Sequence, residues 1–256
     1  MQNLTIALLQ QEIVPNNPRH NLTTFAKAMS HLRGCDLVVL PEVFTTGFCS
    51  NARNYAEQVE GEAYQWMAQQ AQQLQAVVTG SLVVREGDQH FNRLVWMRPD
   101  GSYAHYDKRH LFRMAGEHER YACGSERLLV EVKGWRVLPL ICYDLRFPVW
   151  SRNCNDYDLA IYVANWPSAR SLHWNRLLQA RAIENLSYVV GVNRVGMDEK
   201  HQHYSGDSAI YGPAGEVLLH TQETGAFVFE LYPEKLSEYR NNFPAYIDAD
   251  KFTLIP

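Results

Sequence analysis

PLICYDLRFP, residues 139 to 148, climbs through an apolar run at Pro139, Leu140 and Ile141, delivers a thiol at Cys142, and turns polar at once with Tyr143, Asp144 and Arg146. A lone strand cysteine is most often a small buried hydrophobe. A reactive thiol needs an electropositive, partly exposed seat, and a strand end beside a polar turn is where a rigid scaffold offers one. The stretch therefore poses a choice between core residue and nucleophile, and the rest of the chain has to decide it.

On either side of this stretch, strand-like and helix-like segments alternate. Runs rich in Val, Ile, Leu and aromatics predict strands at 4–9, 36–41, 76–84, 91–97, 128–132, 136–144, 158–165 and 188–195, with two more near 208–219 and 226–231. Helical patterns fill 18–33, 62–75 and 171–186. In the last of these, Leu177, Leu178, Ile183 and Leu186 are spaced for one apolar face. Turn chemistry at Arg98-Pro99-Asp100-Gly101 and Gly212-Pro213-Ala214-Gly215 predicts hairpins, hence antiparallel or mixed pairing. No repeat, linker or low-complexity block interrupts the pattern, so residues 1–256 read as one domain. With 46% hydrophobic residues the chain can bury a single sizeable core. Pattern alone gives a mixed α/β class with helices layered outside sheets.

Composition narrows the partners. A net charge of -4, spread without a basic stripe, speaks against nucleic acid and membrane surfaces and for a small-molecule or protein partner. The five cysteines, Cys35, Cys49, Cys123, Cys142 and Cys154, are odd in number and lack a CxxC pair, which argues against a disulfide framework or structural zinc and for a reducing compartment. MQNLTIALLQQEIV at the start has no basic region before its short apolar part, and no apolar run has the length of a membrane span, so the cytoplasm is expected. His201 and His203 form an HxH pair without a third ligand at metal-like spacing, and they read as loop residues. Gly191 and Gly196 complete no nucleotide fingerprint, so neither metal nor cofactor is expected. Trp150, Trp166 and Trp174 read as core or pocket wall, and the four cysteines other than Cys142 as structural.

Three ionisable groups stand at or near predicted strand ends: Glu42 in LVVLPEVFTTGF, Lys108 in HYDKRHLF, and Cys142. Strand ends that are distant in sequence can meet at one rim of a sheet. Together a Cys, a Glu and a Lys suffice for acyl transfer from an amide. The ammonium stabilises both a thiolate and the oxyanion of a tetrahedral intermediate, and the carboxylate moves protons. Singly, Glu42 reads more readily as a helix N-terminal or loop carboxylate and Lys108 as a solvated surface charge.

LPEVFTTGF, YDKRHLF and ICYDLRFP resemble, in order, the three signature segments of the nitrilase or carbon-nitrogen hydrolase superfamily. The likeness continues through NWPSAR, HWNRLLQARAIENLSYVVGVNRVG and GDSAIYGPAGEVL, and is greatest to the omega-amidases, which hydrolyse the side-chain amide of 2-oxo acid amides such as 2-oxoglutaramate. The resemblance implies a Glu42–Lys108–Cys142 triad, a thioester intermediate, and a four-layer α-β-β-α sandwich that forms a homodimer. It also implies an oxyanion hole made by Lys108 and the Tyr143 N–H. A supporting glutamate is implied within GEHERYACG; Glu117 is assigned from its distance to Gly124, with Glu119 as the alternative. The carboxylate of such a substrate calls for a cation, Arg146 first and Arg170 second, while a competing reading has Arg146 brace its turn by pairing with Asp144 or another local carboxylate. A glutamine amidotransferase is disfavoured because Cys142 lacks flanking glycines. An N-carbamoyl, nitrile or acyl-peptide substrate, or a non-catalytic binding protein, remains an alternative.

Overall fold

The computed structural model describes residues 1–49 and 51–254. In chain order the strands are β1 (Leu4–Gln10), β2 (Leu37–Val39), β3 (Glu57–Gln58), β4 (Val77–Glu86), β5 (Gln89–Met97), β6 (Tyr103–Asp107), β7 (Val130–Val132), β8 (Trp135–Ile141), β9 (Leu159–Val163), β10 (Tyr188–Val192), β11 (Val195–Met197), β12 (His203–Ser205), β13 (Ser208–Tyr211), β14 (Val217–Thr221) and β15 (Gly225–Leu231). The helices are α1 (Pro18–Met29), α2 (Glu62–Leu74), α3 (Glu117–Arg120), α4 (Pro148–Ser151), α5 (Ser171–Asn185) and α6 (Pro233–Asn242).

Among the described residues these strands form two mixed sheets and a two-stranded ribbon, β11-β12. The first runs β15-β1-β2-β4-β5-β6, with β3 beside β4, and the second β14-β13-β10-β9-β8-β7. In the first, α1 and α2 make the crossovers that keep β1, β2 and β4 parallel, while β4, β5 and β6 follow as antiparallel hairpins. In the second, β8, β9 and β10 are parallel and antiparallel strands flank them.

Strand periodicity sorts the side chains into layers. Leu4, Ile6 and Leu8 of β1 join Leu37, Val39, Leu94 and Trp96 in one buried cluster with Val137, Leu159 and Ile161 of the second sheet. The alternate residues Ala7, Leu9 and Val38 pack instead against Phe25 and Met29 of α1 and Met67 and Ala71 of α2. Helix α5 covers the far face of the second sheet: a Cβ on Gly191 of β10 would collide with Leu178 and Trp174, so glycine permits this close approach. The order is helix, sheet, sheet, helix, the expected four layers.

Several predicted boundaries move. Strand β8 stops at Ile141, and Cys142–Arg146 forms a 3₁₀ turn instead of continuing the strand to 144, because the Asp144 side chain accepts the Ile141 N–H and closes the turn. The buried face of α5 is also different from the expected one. Trp174, Leu178, Arg181, Ala182 and Asn185 point inward, and Ile183 is exposed. The inward polar residues have work there: Arg181 Nη2 donates to Leu145 O at 2.6 Å, fastening the helix to the turn after Cys142.

Candidate active site

Parallel pairing gathers the functional groups at one rim. Residues Ile141 and Val163 are register partners, so the segments leaving β8 and β9 put Cys142 and Asn165 side by side. Glu42 follows β2 and Lys108 follows β6. All three sequence-predicted groups meet. Lys108 Nζ lies 2.8 Å from Glu42 Oε1, and both side chains are 1% exposed. The same ammonium lies 2.9 and 3.0 Å from the two oxygens of Glu117. Glu117 is thus the buried glutamate against Lys108, whereas the Glu119 side chain is largely solvent-exposed. Phe112 N–H donates to Glu117 Oε2 at 2.6 Å and fixes the orientation of its carboxylate.

Electrostatics follow from this burial. Burial works against the Lys108 ammonium, but Glu117 and Glu42 outweigh it and hold the group well above the usual lysine range. For Cys142, burial and then Glu42 push the thiol well above its ordinary value, with Lys108 opposing. The resting cysteine is a neutral thiol beside a carboxylate. Its backbone sits at φ 45°, left-handed without being glycine, and Val43, the neighbour of Glu42, is left-handed too at φ 39°. A β-branched residue in that region is strained, and the strain falls where Glu42 is aimed. Ser81 supports the bend, its Oγ accepting the Val43 N–H at 2.8 Å.

A cavity opens above the thiol, with Glu42, Lys108 and Cys142 in its lining. Aromatic side chains of Phe48, Phe112, Tyr143, Trp166 and Tyr204 form walls, and Arg120, Arg146, Arg170 and Lys200 add cations. Arg146 stacks over Trp166 at 4.8 Å and its Nη2 is 3.1 Å from His173 Nδ1. It does not bond Asp144, whose oxygens are taken by Tyr106, His110 and the Ile141 N–H, so the bracing role expected of that pair is not what the geometry provides. Arg170 lies over the Phe112 ring at 5.6 Å. Trp166 is wall, while Trp150 and Trp174 are core.

Other expectations change. Cys49, read from the sequence as structural, lines the cavity. Its thiol is pushed up to about 11 by burial and then by Glu199. His203 begins β12 with its ring Nδ1 3.2 Å from Ser168 Oγ, and His201 sits in the preceding turn. Among the described residues no group of three His, Cys, Asp or Glu is placed to hold a metal ion, and no helix is long and apolar enough to cross a membrane.

Two asparagines escaped the sequence reading. Asn165 donates its N–H to Glu42 Oε2 at 2.8 Å and its side-chain amide to Glu42 O, and its own carbonyl lies 3.9 Å from Cys142 Sγ. Asn92 of β5 donates to Glu42 Oε1 at 2.9 Å and Glu117 Oε1 at 3.3 Å. The signal for Asn92 was its polar side chain beside the apolar run of FNRLVWM, at a position where the strand pattern buries residues.

The carbon-nitrogen hydrolase family model matches residues 5–241. The omega-amidase YafV of Escherichia coli strain K12 is 48% identical, over 99% of this chain and all of that protein. The 2-oxoglutaramate amidase of Bacillus subtilis is 32% identical, over 96% of this chain and 98% of that protein. Among solved structures, XC1258 of Xanthomonas campestris, a CN-hydrolase superfamily protein with an arsenic adduct in its active site, superposes with a TM-score of 0.97 at 45% identity, covering 99% of this chain and 100% of that one.

Proposed function

The chain belongs to the carbon-nitrogen hydrolase family, and on that premise we propose that it is an omega-amidase, releasing ammonia from the side-chain amide of short 2-oxo dicarboxylic acid amides of the 2-oxoglutaramate type. The observation that carries the chemistry is the buried Lys108 bridged to Glu42 and Glu117 next to a thiol pushed up by burial and Glu42. A neutral thiol needs a base at the moment of attack, and Glu42 is within its reach.

Cys142 Sγ attacks the amide carbon as its proton passes to Glu42, and the carbonyl electrons become an oxyanion held by Lys108 Nζ and the Tyr143 N–H. As the intermediate collapses the C–N bond breaks, Glu42 returns the proton to nitrogen, and ammonia leaves a thioester on Cys142. Water then attacks the thioester carbon and gives its proton to Glu42. The second intermediate expels sulfur, which regains the proton, and the dicarboxylic acid departs. Glu117 fixes Lys108 for both steps.

Arg146, with Arg170 second, binds the substrate's free carboxylate; the cationic wall above the thiol supports this, as do an omega-amidase and a 2-oxoglutaramate amidase among the relatives. Ammonia release over a panel of ω-amides of 2-oxo and amino dicarboxylic acids, with a nitrile and an N-carbamoyl amino acid, tests the reading. Preference for the nitrile or the carbamoyl compound would replace it. The protein acts in the cytoplasm as a two-fold homodimer. A light-scattering mass of one chain at micromolar concentration would remove the dimer.

A further inference from the structure

We propose that Asn92 is the positioning residue that seats the two carboxylates of the site on one ammonium and holds Glu42 in place for its work as base. The proposal rests on the reading of Glu42 as that base. Asn92 is fully buried in β5 and is absent from the cavity lining, so it acts through other groups and not on substrate. It touches three of the site's charged residues. Both Nδ2 hydrogens point at carboxylates, Glu42 Oε1 at 2.9 Å and Glu117 Oε1 at 3.3 Å, and its main-chain carbonyl accepts the Lys108 N–H at 2.9 Å. The amide orientation is determined by this setting, because turning it over would aim Oδ1 at two anionic oxygens.

Asn92 Oδ1 is buried without a hydrogen-bond partner among the described residues. Leaving an acceptor unmet costs stability, so the chain accepts a penalty in order to put both donors on Glu42 and Glu117. The need is plain from the charges facing Glu42: Lys108 beyond β6, Glu117 from α3 and Cys142 beyond β8, with the Asn165 N–H on its other oxygen. One ammonium serves two carboxylates that repel each other, and a second, uncharged donor holds the pair together without adding a second positive charge beside the thiol. Glu117 and Glu42 accept from the same nitrogen, so Asn92 also sets their spacing.

The test compares Asn92→Asp, nearly isosteric but without the two donors, and Asn92→Leu, apolar and of similar size, using kcat and KM, with Glu42→Gln assayed beside them. Asn92→Ser, which keeps one donor, serves if either variant fails to fold. Loss of a donor frees the Glu42 carboxylate to move off its position at the thiol, so kcat falls while KM holds. In Asn92→Asp, kcat should drop by about 10- to 100-fold, the range for removing a group that orients a reacting one, with KM little changed. Asn92→Ser should lie between wild type and Asn92→Leu. A folded Asn92→Asp or Asn92→Leu that keeps the wild-type kcat overturns the proposal while Glu42→Gln remains dead; an active Glu42→Gln overturns the base reading itself.

Discussion

The Asp144 oxygen Oδ1 accepts two hydrogen bonds from His110, the main-chain N–H at 3.0 Å and the ring Nδ1 at 2.8 Å. Its other oxygen takes the Tyr106 hydroxyl at 2.8 Å and the Ile141 N–H at 3.0 Å. One fully buried carboxylate thus fastens the segment that carries Lys108 to the turn that carries Cys142.

Asp144→Asn should uncouple the two segments, since an amide offers one acceptor oxygen where two are used. The melting temperature should fall by an amount reflecting about 1–3 kcal/mol, the cost of a buried group left unmet, and kcat should fall more than KM rises. Calorimetry and steady-state kinetics check both; an unchanged kcat in a destabilised protein would confine Asp144 to stability.

Cys142→Ala should abolish amide hydrolysis with the fold intact, and hydroxylamine should trap the wild-type acyl-enzyme as a hydroxamate. Lys108→Ala should cost on the order of 3 kcal/mol in kcat/KM, the size of a lost oxyanion donor. A tenth of wild-type activity in Cys142→Ala would rule out the thioester.

Burial and Glu42 push the Cys142 thiol up, so the folded state stays protonated where the unfolded chain has begun to ionise. Thiolate absorbance, taken as wild type minus Cys142→Ala, should remain flat through pH 9 in the folded protein and appear on unfolding. The unfolded state then binds fewer protons, so this group's contribution to stability is complete below the thiol's unfolded range and is lost as pH rises toward the folded value. A thiolate signal at neutral pH in the folded enzyme would contradict the assignment.

Arg146→Lys keeps the charge but loses the planar fork. Hydrolysis of 2-oxoglutaramate should weaken far more than that of a neutral short amide of similar size. Equal losses would return Arg146 to a packing role over Trp166, and a selective loss in Arg170→Lys alone would move the carboxylate to Arg170.

Much of the scaffold was legible because its causes are local. Strand periodicity and the turns at Arg98–Gly101 and Gly212–Gly215 place both sheets within a few residues, and Glu42 and Cys142 announce themselves by standing after apolar runs, with Lys108 after the short strand β6. What was hidden depends on contacts made across the fold. The left-handed backbone at Cys142 carries no glycine to signal it. The inward face of α5 holds Arg181 and Asn185 because those side chains bond loops distant in sequence, Leu145 O and the Asn153 N–H, which no helical moment reports. Glu117 and Glu119 are alike as letters; only the turn at Gly116, with its φ of 67°, decides which one enters the site. Cys49 joins the cavity through a bend, not through a strand pattern.

Strand β1 lies between β2 and β15, pairing Leu4 with Leu231 on one side and Ile6 with Leu37 on the other. A ribosome delivers the first of these strands long before its antiparallel partner. Until β15 emerges, one edge of β1 is bare, an apolar strand with unmatched amides beside a growing chain. In the second sheet β7, β8, β9, β10, β13 and β14 lie side by side in the order of their synthesis, and the last of them ends at Thr221, before β15 begins. The sheet that bears Glu42 therefore begins first and is completed last, with the late arrival of β15 as the slow, aggregation-exposed step.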